Sequence, residues 1–183
     1  MSEQALIMYA SPTLAGMKTG SLFTQPCEDR QQLLDEVRTF NRRLSPKGIC
    51  LVPIRIKGGK ALLYLFRPSH LNRDLEHSTV RNILENAGYE CRGMASCICS
   101  LIKKFSETDD FPHEIGVFLG YPPEDVEGFI TNGAKNCKCT GVWKVYGDVD
   151  AAQATFRRYH DCTECYRRQW ASGVSLERLL VAV

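Results

Sequence analysis

The sequence predicts an α+β fold: a small sheet with a β-hairpin at about 49–66 and a further strand at about 141–147, packed by four or five helices in one globular domain, 1–183. Three observations predict it. Gly58-Gly59 separates two apolar, β-branched runs, and a tight hairpin turn needs the positive φ that glycine adopts without steric cost. The stretch from Gly141 to Gly147 alternates, with Val142, Lys144 and Tyr146 on one side and Trp143 and Val145 on the other, which is the period of a strand. Leu33, Val37, Phe40 and Leu44 recur at i, i+4, i+7 and i+11, the apolar stripe of a helix.

The elements follow in order. Residues 3–9 suit a short helix or strand. From 10 to 24 no period holds. Pro12, Gly16 and Gly20 punctuate a stretch that reads as an ordered loop, in which Lys18 and backbone N–H groups can face an anion. It lacks the spacing of a phosphate loop. Helix 28–44 opens on Glu28 and Asp29 and closes on Arg42 and Arg43, which suits its dipole; Ser45-Pro46-Lys47-Gly48 stops it. Pro53 marks 49–56 as an edge strand or a bulged one. A helical region at 68–87 has its clear part at 78–87, where Ser78 can cap and Val80, Ile83, Leu84 and Ala87 share a face. Residues 89–92 suit a short strand. Helix 94–105 carries the stripe Ala95, Ile98, Ile102 and Phe105, with Cys99 beside it and Cys97 pointing away. Asp148 caps a long helix, 149–170, with Ala152, Phe156, Tyr159, Cys162, Tyr166 and Trp170 inward, and Ser175 opens a last short helix.

Composition excludes several classes. With 44% hydrophobic and 24% charged residues the chain is an ordinary globule. A net charge of +2 demands no polyanionic partner, so nucleic acid is not expected. No apolar run reaches the ~18 residues of a membrane span, and Glu3 stands where a signal peptide is basic. A cytoplasmic location with no membrane partner is the expectation.

Nine cysteines are many for such a chain, and in a reducing compartment disulfides are not the default. Cys137-Lys138-Cys139 and Cys162-Thr163-Glu164-Cys165 together offer four thiolates about twenty residues apart, a spacing that invites zinc or iron. Against this, the first pair is C-x-C, and Cys162 belongs to the inward stripe of a helix. A redox C-x-x-C wants the start of a helix, where the thiol pKa falls, and this pair lies several turns in.

The most unusual stretch is 111–130, F-P-H-E-I-G-V-F-L-G-Y-P-P-E-D-V-E-G-F-I. It reads as two short helices, 112–119 and one starting at Pro123, hinged at Gly120-Tyr121-Pro122-Pro123. His113 and Glu114 then fall in a first turn, where an imidazole and a carboxylate can bind a ligand or move protons. H-E-x-x-H is absent, because Val117 stands where the second histidine belongs. A DNA-reading helix is also disfavoured, since Glu124, Asp125 and Glu127 would face phosphates.

This stretch, G-V-W-K-V-Y-G-D at 141–148, A-x-x-x-F-x-x-Y-x-x-C in the long helix, and P-T-L-A-G-M-K near the start together resemble an uncharacterised domain-of-unknown-function family of anaerobic bacteria. The resemblance spans nearly the whole chain. It implies a cytosolic protein of an anaerobe and no particular reaction, so no enzyme class follows. Cys137 and Cys139 are not part of the resembled pattern. Three functional readings stand. In the first, Lys18, His113, Glu114, Tyr121, Lys144 and Tyr146 meet around a small anionic ligand or cofactor. In the second, the central motif only shapes a structural or protein-interaction module. In the third, Cys137, Cys139, Cys162 and Cys165 form a thiolate metal site linked to redox or iron metabolism.

Overall fold

The computed structural model describes residues 3–108 and 110–181. The fold is α+β, and the chain divides into two compact units, Met1–His70 with Asp161–Val183, and Leu71–His160.

The first unit opens with helix α1 (Glu3–Leu14) and strand β1 (Gly20–Pro26), followed by α2 (Arg30–Leu44), β2 (Cys50–Lys57) and β3 (Lys60–Phe66). The three strands form an antiparallel sheet in the order β1-β3-β2. The central strand β3 is buried at every position after Lys60, as a strand between two neighbours should be. The Lys57–Lys60 turn uses positive φ at both glycines, 58° at Gly58 and 69° at Gly59. Both expectations for Pro53 meet in one place: β2 is an edge strand, and its register slips between Pro53 and Arg55. Helix α2 is capped by Asp29, which accepts from the N–H groups of Gln31 at 2.7 Å and Gln32 at 3.3 Å. Its buried residues are Leu33, Val37, Phe40 and Leu44, the predicted stripe.

The stretch at 10–24 is not a loop. Helix α1 continues through Pro12 to Leu14, and β1 begins at Gly20. A proline so near the end removes few helical hydrogen bonds. The last carbonyls of the helix have a partner in the guanidinium of Arg67, which is 0% exposed. Its Nε donates to Thr13 O at 2.7 Å, and its Nη2 donates to Leu14 O at 2.6 Å and Val181 O at 2.8 Å. A buried charge is tolerable only when its donors are used, and here backbone carbonyls use them. Leu6, Ile7, Ala10 and Leu14 of α1 pack in one core with the α2 stripe and with Leu63 and Leu65 of β3. Each fully buried leucine contributes about 1.5–3 kcal/mol.

Helix α3 (Pro68–Glu76) carries the chain into the second unit, which contains α4 (Ser78–Asn86), α5 (Met94–Glu107), α6 (Ile115–Phe118), α7 (Pro123–Thr131), β4 (Cys139–Thr140) and β5 (Lys144–Val145). Helix α8 (Val149–Ala171) begins here, and its later turns belong with α9 (Leu176–Leu179) to the first unit. Asp148 caps α8 through the Ala151 N–H at 3.0 Å. The predicted strand at 141–147 is shorter and does not join the hairpin sheet. It pairs with β4, Cys139 opposite Val145 and Thr140 opposite Lys144. The chain turns back at Val142, where the Gly141 N–H donates to Trp143 O at 3.0 Å.

Two further differences concern α5 and the segment before it. Residues 89–92 form a loop, not a strand. The buried face of α5 is Cys97, Ile98, Leu101 and Phe105, one residue's rotation from the predicted stripe. Cys97 is therefore inside and Cys99 exposed, the reverse of the expectation. Cys97 is bonded to Cys91, a disulfide between cysteines that no short spacing motif joins. Among the described residues no helix is long and apolar enough to cross a membrane.

Candidate functional site

The second unit's central motif is organised by a carboxylate. Asp125, in the first turn of α7, is 3% exposed. Its Oδ2 accepts from Trp143 Nε1 at 2.6 Å, and its Oδ1 accepts from the N–H groups of Tyr146 and Gly147, each at 2.7 Å. One side chain thus fastens α7 to the β5 segment. Three N–H donors give the buried charge the partners it needs. Gly128, one turn further along α7, lies under the Tyr146 ring, where an added Cβ would stand 2.5 Å from Tyr146 Cγ. The two most specific motifs of the sequence are halves of one interlocked structure.

Beside this joint lies a cavity of about 350 Å³, at the small end of the roughly 300–1,000 Å³ of ligand pockets. Phe111 and His113 approach it from before α6, Tyr121 from the hinge, Phe129 from α7, and Val142, Trp143 and Lys144 from the hairpin. Tyr121 stacks on Trp143 at 4.9 Å between ring centroids, and Phe156 meets the indole edge-on at 4.5 Å. The wall is therefore rigid and aromatic. Both basic groups pack on Phe129: His113 meets its ring edge-on at 5.3 Å, and Lys144 Nζ lies 5.9 Å from its centroid. Lys144 Nζ also donates to Ala134 O at 2.7 Å, which holds the ammonium in place. Burial, and secondarily Tyr159, pushes the Tyr121 phenol up to about 12, so it stays a neutral donor at neutral pH.

Of the six residues predicted to meet around a ligand, His113, Tyr121 and Lys144 line this cavity. The helix expected from 112 begins at Ile115, so His113 precedes it in a turn. Glu114 is buried, 6% exposed, and faces elsewhere: Lys104 Nζ lies 3.6 Å from its Oε1, which has no hydrogen-bond partner among the described residues. The neighbouring Tyr89 phenol is pushed up by burial first and by Glu114 second. Tyr146 packs its ring on Gly128 and donates its hydroxyl to Lys135 O at 3.0 Å, outside the cavity lining. Lys18 belongs to the first unit, where desolvation lowers its ammonium to about 8, and it does not line this cavity. Asp125 was legible only as a carboxylate at a helix start. The donor Trp143 lies eighteen residues away in a different motif.

The four cysteines weighed as metal ligands fall in different settings. Cys137 Sγ lies 3.5 Å from Thr140 Oγ1, and Cys139 packs beside Trp143 and Val145 in the second unit. Cys162 packs against the first unit's core, and burial pushes its thiol up to about 11, against the thiolate a metal needs. Cys165 is exposed and accepts from Gln169 Nε2 at 3.3 Å. Among the described residues no group of three or more His, Cys, Asp or Glu side chains is arranged to hold a metal ion.

These features define an α+β protein with a small, aromatic, cation-flanked cavity beside a carboxylate-locked hairpin. The chain belongs to the family described as Protein of unknown function (DUF3793), whose model matches residues 6–180. No curated protein and no solved structure matches it.

Proposed function

We propose that this protein binds a small organic anion with a flat apolar body in the cavity beside α7. The observation that carries the proposal is that His113 and Lys144 both pack on Phe129, in a cavity walled by Tyr121 and Trp143. A planar ligand gains burial against the rings, and its anionic group meets an ammonium already positioned by Ala134 O. Asp125, the carboxylate among the described residues that line the cavity, has both oxygens occupied by donors and is not poised as a base. Binding, not proton abstraction by Asp125, is the chemistry this arrangement favours.

The probe is 8-anilinonaphthalene-1-sulfonate, titrated into folded protein with circular dichroism as the control for native structure. We expect saturable one-to-one fluorescence enhancement, weakened at least tenfold in Lys144→Met, about 1.4 kcal/mol, and reduced in His113→Ala. No saturable site, or identical titrations in all three proteins, overturns the proposal.

The rival reading, a structural or interaction module, draws on the same lock. Asp125 and Gly128 explain much of the motif by packing alone. Under that reading His113→Ala and Lys144→Ala leave ligand titrations and phenotype alike unchanged, while Tyr121→Ala unfolds the protein.

A further inference from the structure

We propose that the Cys91–Cys97 disulfide is a thiol–disulfide exchange site for a low-molecular-weight thiol. Its two sulfurs are unlike. Cys91 lies on an exposed loop before α5, whereas Cys97 is 0% exposed in the first turns of that helix. An incoming thiolate must approach along the S–S axis, and Cys91 is the exposed residue of the pair. Attack there makes Cys97 the leaving sulfur. The Cys97 N–H is bonded to Gly93 O at 3.1 Å, so the preceding N–H groups of the first turn have no carbonyl four residues back within the helix. Side chains lean toward the N-terminus of their helix, which brings the Cys97 sulfur toward those groups, where a thiolate is favoured.

A second observation supplies the approach. A cavity of about 540 Å³ in the same unit is lined by both cysteines together with Arg81 and Arg92, two cations that favour an arriving thiolate and a departing one. It also holds Glu76 and Glu85, so a thiol carrying both an ammonium and carboxylates, such as glutathione, finds partners of each sign. The bond closes a short segment, with a sequence separation of 6, and short closed loops draw the least stability from a disulfide. A staple in this place adds little to the fold, whereas an accessible one exchanges readily.

The step balances. A thiolate RS⁻ attacks Cys91 Sγ, the Cys91–Cys97 bond breaks, and Cys97 leaves as the thiolate, giving a Cys91–S–S–R mixed disulfide. A second RS⁻ attacks the R-bearing sulfur, RSSR departs, and Cys91 is released as thiolate. Two protons then return from solvent, so two thiols are oxidised and one protein disulfide is reduced. The reverse sequence oxidises the dithiol with RSSR.

The test uses the full chain in glutathione buffers of graded ratio, quenched in acid, alkylated and peptide-mapped. Cys91 and Cys97 are expected to gain and lose label together as one reversible two-electron couple, with glutathione trapped on Cys91 at early times. With oxidised glutathione, Cys97→Ser is expected to take the adduct at Cys91 at least ten times faster than Cys91→Ser takes it at Cys97. The wild-type trapping needs neither variant to fold. Failure of the pair to exchange in native protein, glutathione found first on Cys97, or equal adduct rates in the two variants overturns the proposal.

Discussion

The indole N–H of Trp143 donates to Asp125 Oδ2 at 2.6 Å, joining the start of α7 to a hairpin eighteen residues further along the chain. Removing the carboxylate leaves three N–H groups without an acceptor, those of Trp143, Tyr146 and Gly147. Each orphaned buried donor costs ~1–3 kcal/mol. Asp125→Ala is therefore expected to destabilise the protein by about 3 kcal/mol or more in urea unfolding, and Trp143→Phe by less. In a double-mutant cycle the two losses should fall short of additive, because they share one bond. Full additivity would mean that the bond does not hold the hairpin.

A second prediction concerns Arg67. Its fork reaches carbonyls of α1 and of Val181, and no other side chain has that shape. Arg67→Lys keeps the charge but loses the fork; Arg67→Met loses both. Both variants are expected to lower the free energy of unfolding measured in urea, by about 3 kcal/mol for methionine. If lysine restored wild-type stability, charge rather than geometry would be the cause.

Gly128 gives a steric test. Its missing side chain makes room for the Tyr146 ring, and an alanine Cβ would sit 2.5 Å from Tyr146 Cγ. Gly128→Ala is expected to cost about 1–3 kcal/mol through overpacking. Tyr146→Ala should relieve much of that cost, so the double variant should be more stable than the sum of its parts predicts. Thermal unfolding of the four proteins measures it.

Lys18 predicts a pH dependence. Desolvation holds its folded-state pKa near 8, below the ordinary 10.5. Below about 8 both folded and unfolded chains carry the charge, and folding bears the whole cost of burying it. Between about 8 and 10.5 the unfolded chain binds a proton that the folded chain has released, so this group's contribution to stability rises with pH across that window. Lys18→Met should remove that rise. Urea midpoints of the two proteins, compared from pH 7 to 10, should diverge in slope, and parallel curves would show that Lys18 titrates normally.

Periodicity made the large pieces legible. The α2 stripe, the Gly58-Gly59 turn and the Asp148 cap each follow from local rules that tertiary contacts had no reason to override. What stayed hidden depended on partners remote in sequence. The last turn of α1 reads as a loop because Pro12 breaks its pattern, and the group that satisfies its last carbonyls is Arg67. Strand β1 has no clean alternation because it gains its ladder from β3, some forty residues later. Cys91 and Cys97 match no short cysteine motif; a loop folding over the first turns of α5 brings them together. In the cavity, composition pointed to His113, Tyr121 and Lys144, but Glu114 turned toward Lys104 because a helix expected from 112 starts three residues later.

The first unit is discontinuous in sequence, with Leu71–His160 lying between its two parts. During synthesis its sheet emerges early, yet Val181, whose carbonyl Arg67 holds and whose N–H reaches Leu14 O at 3.3 Å, arrives after the whole of the second unit. At roughly 5–20 residues per second the sheet waits for its closing segment while the inserted segment is already complete. A chain broken after residue 160 lacks Tyr166, Leu176, Leu179 and Leu180, and the core that α1 and β3 build stays open where those side chains pack.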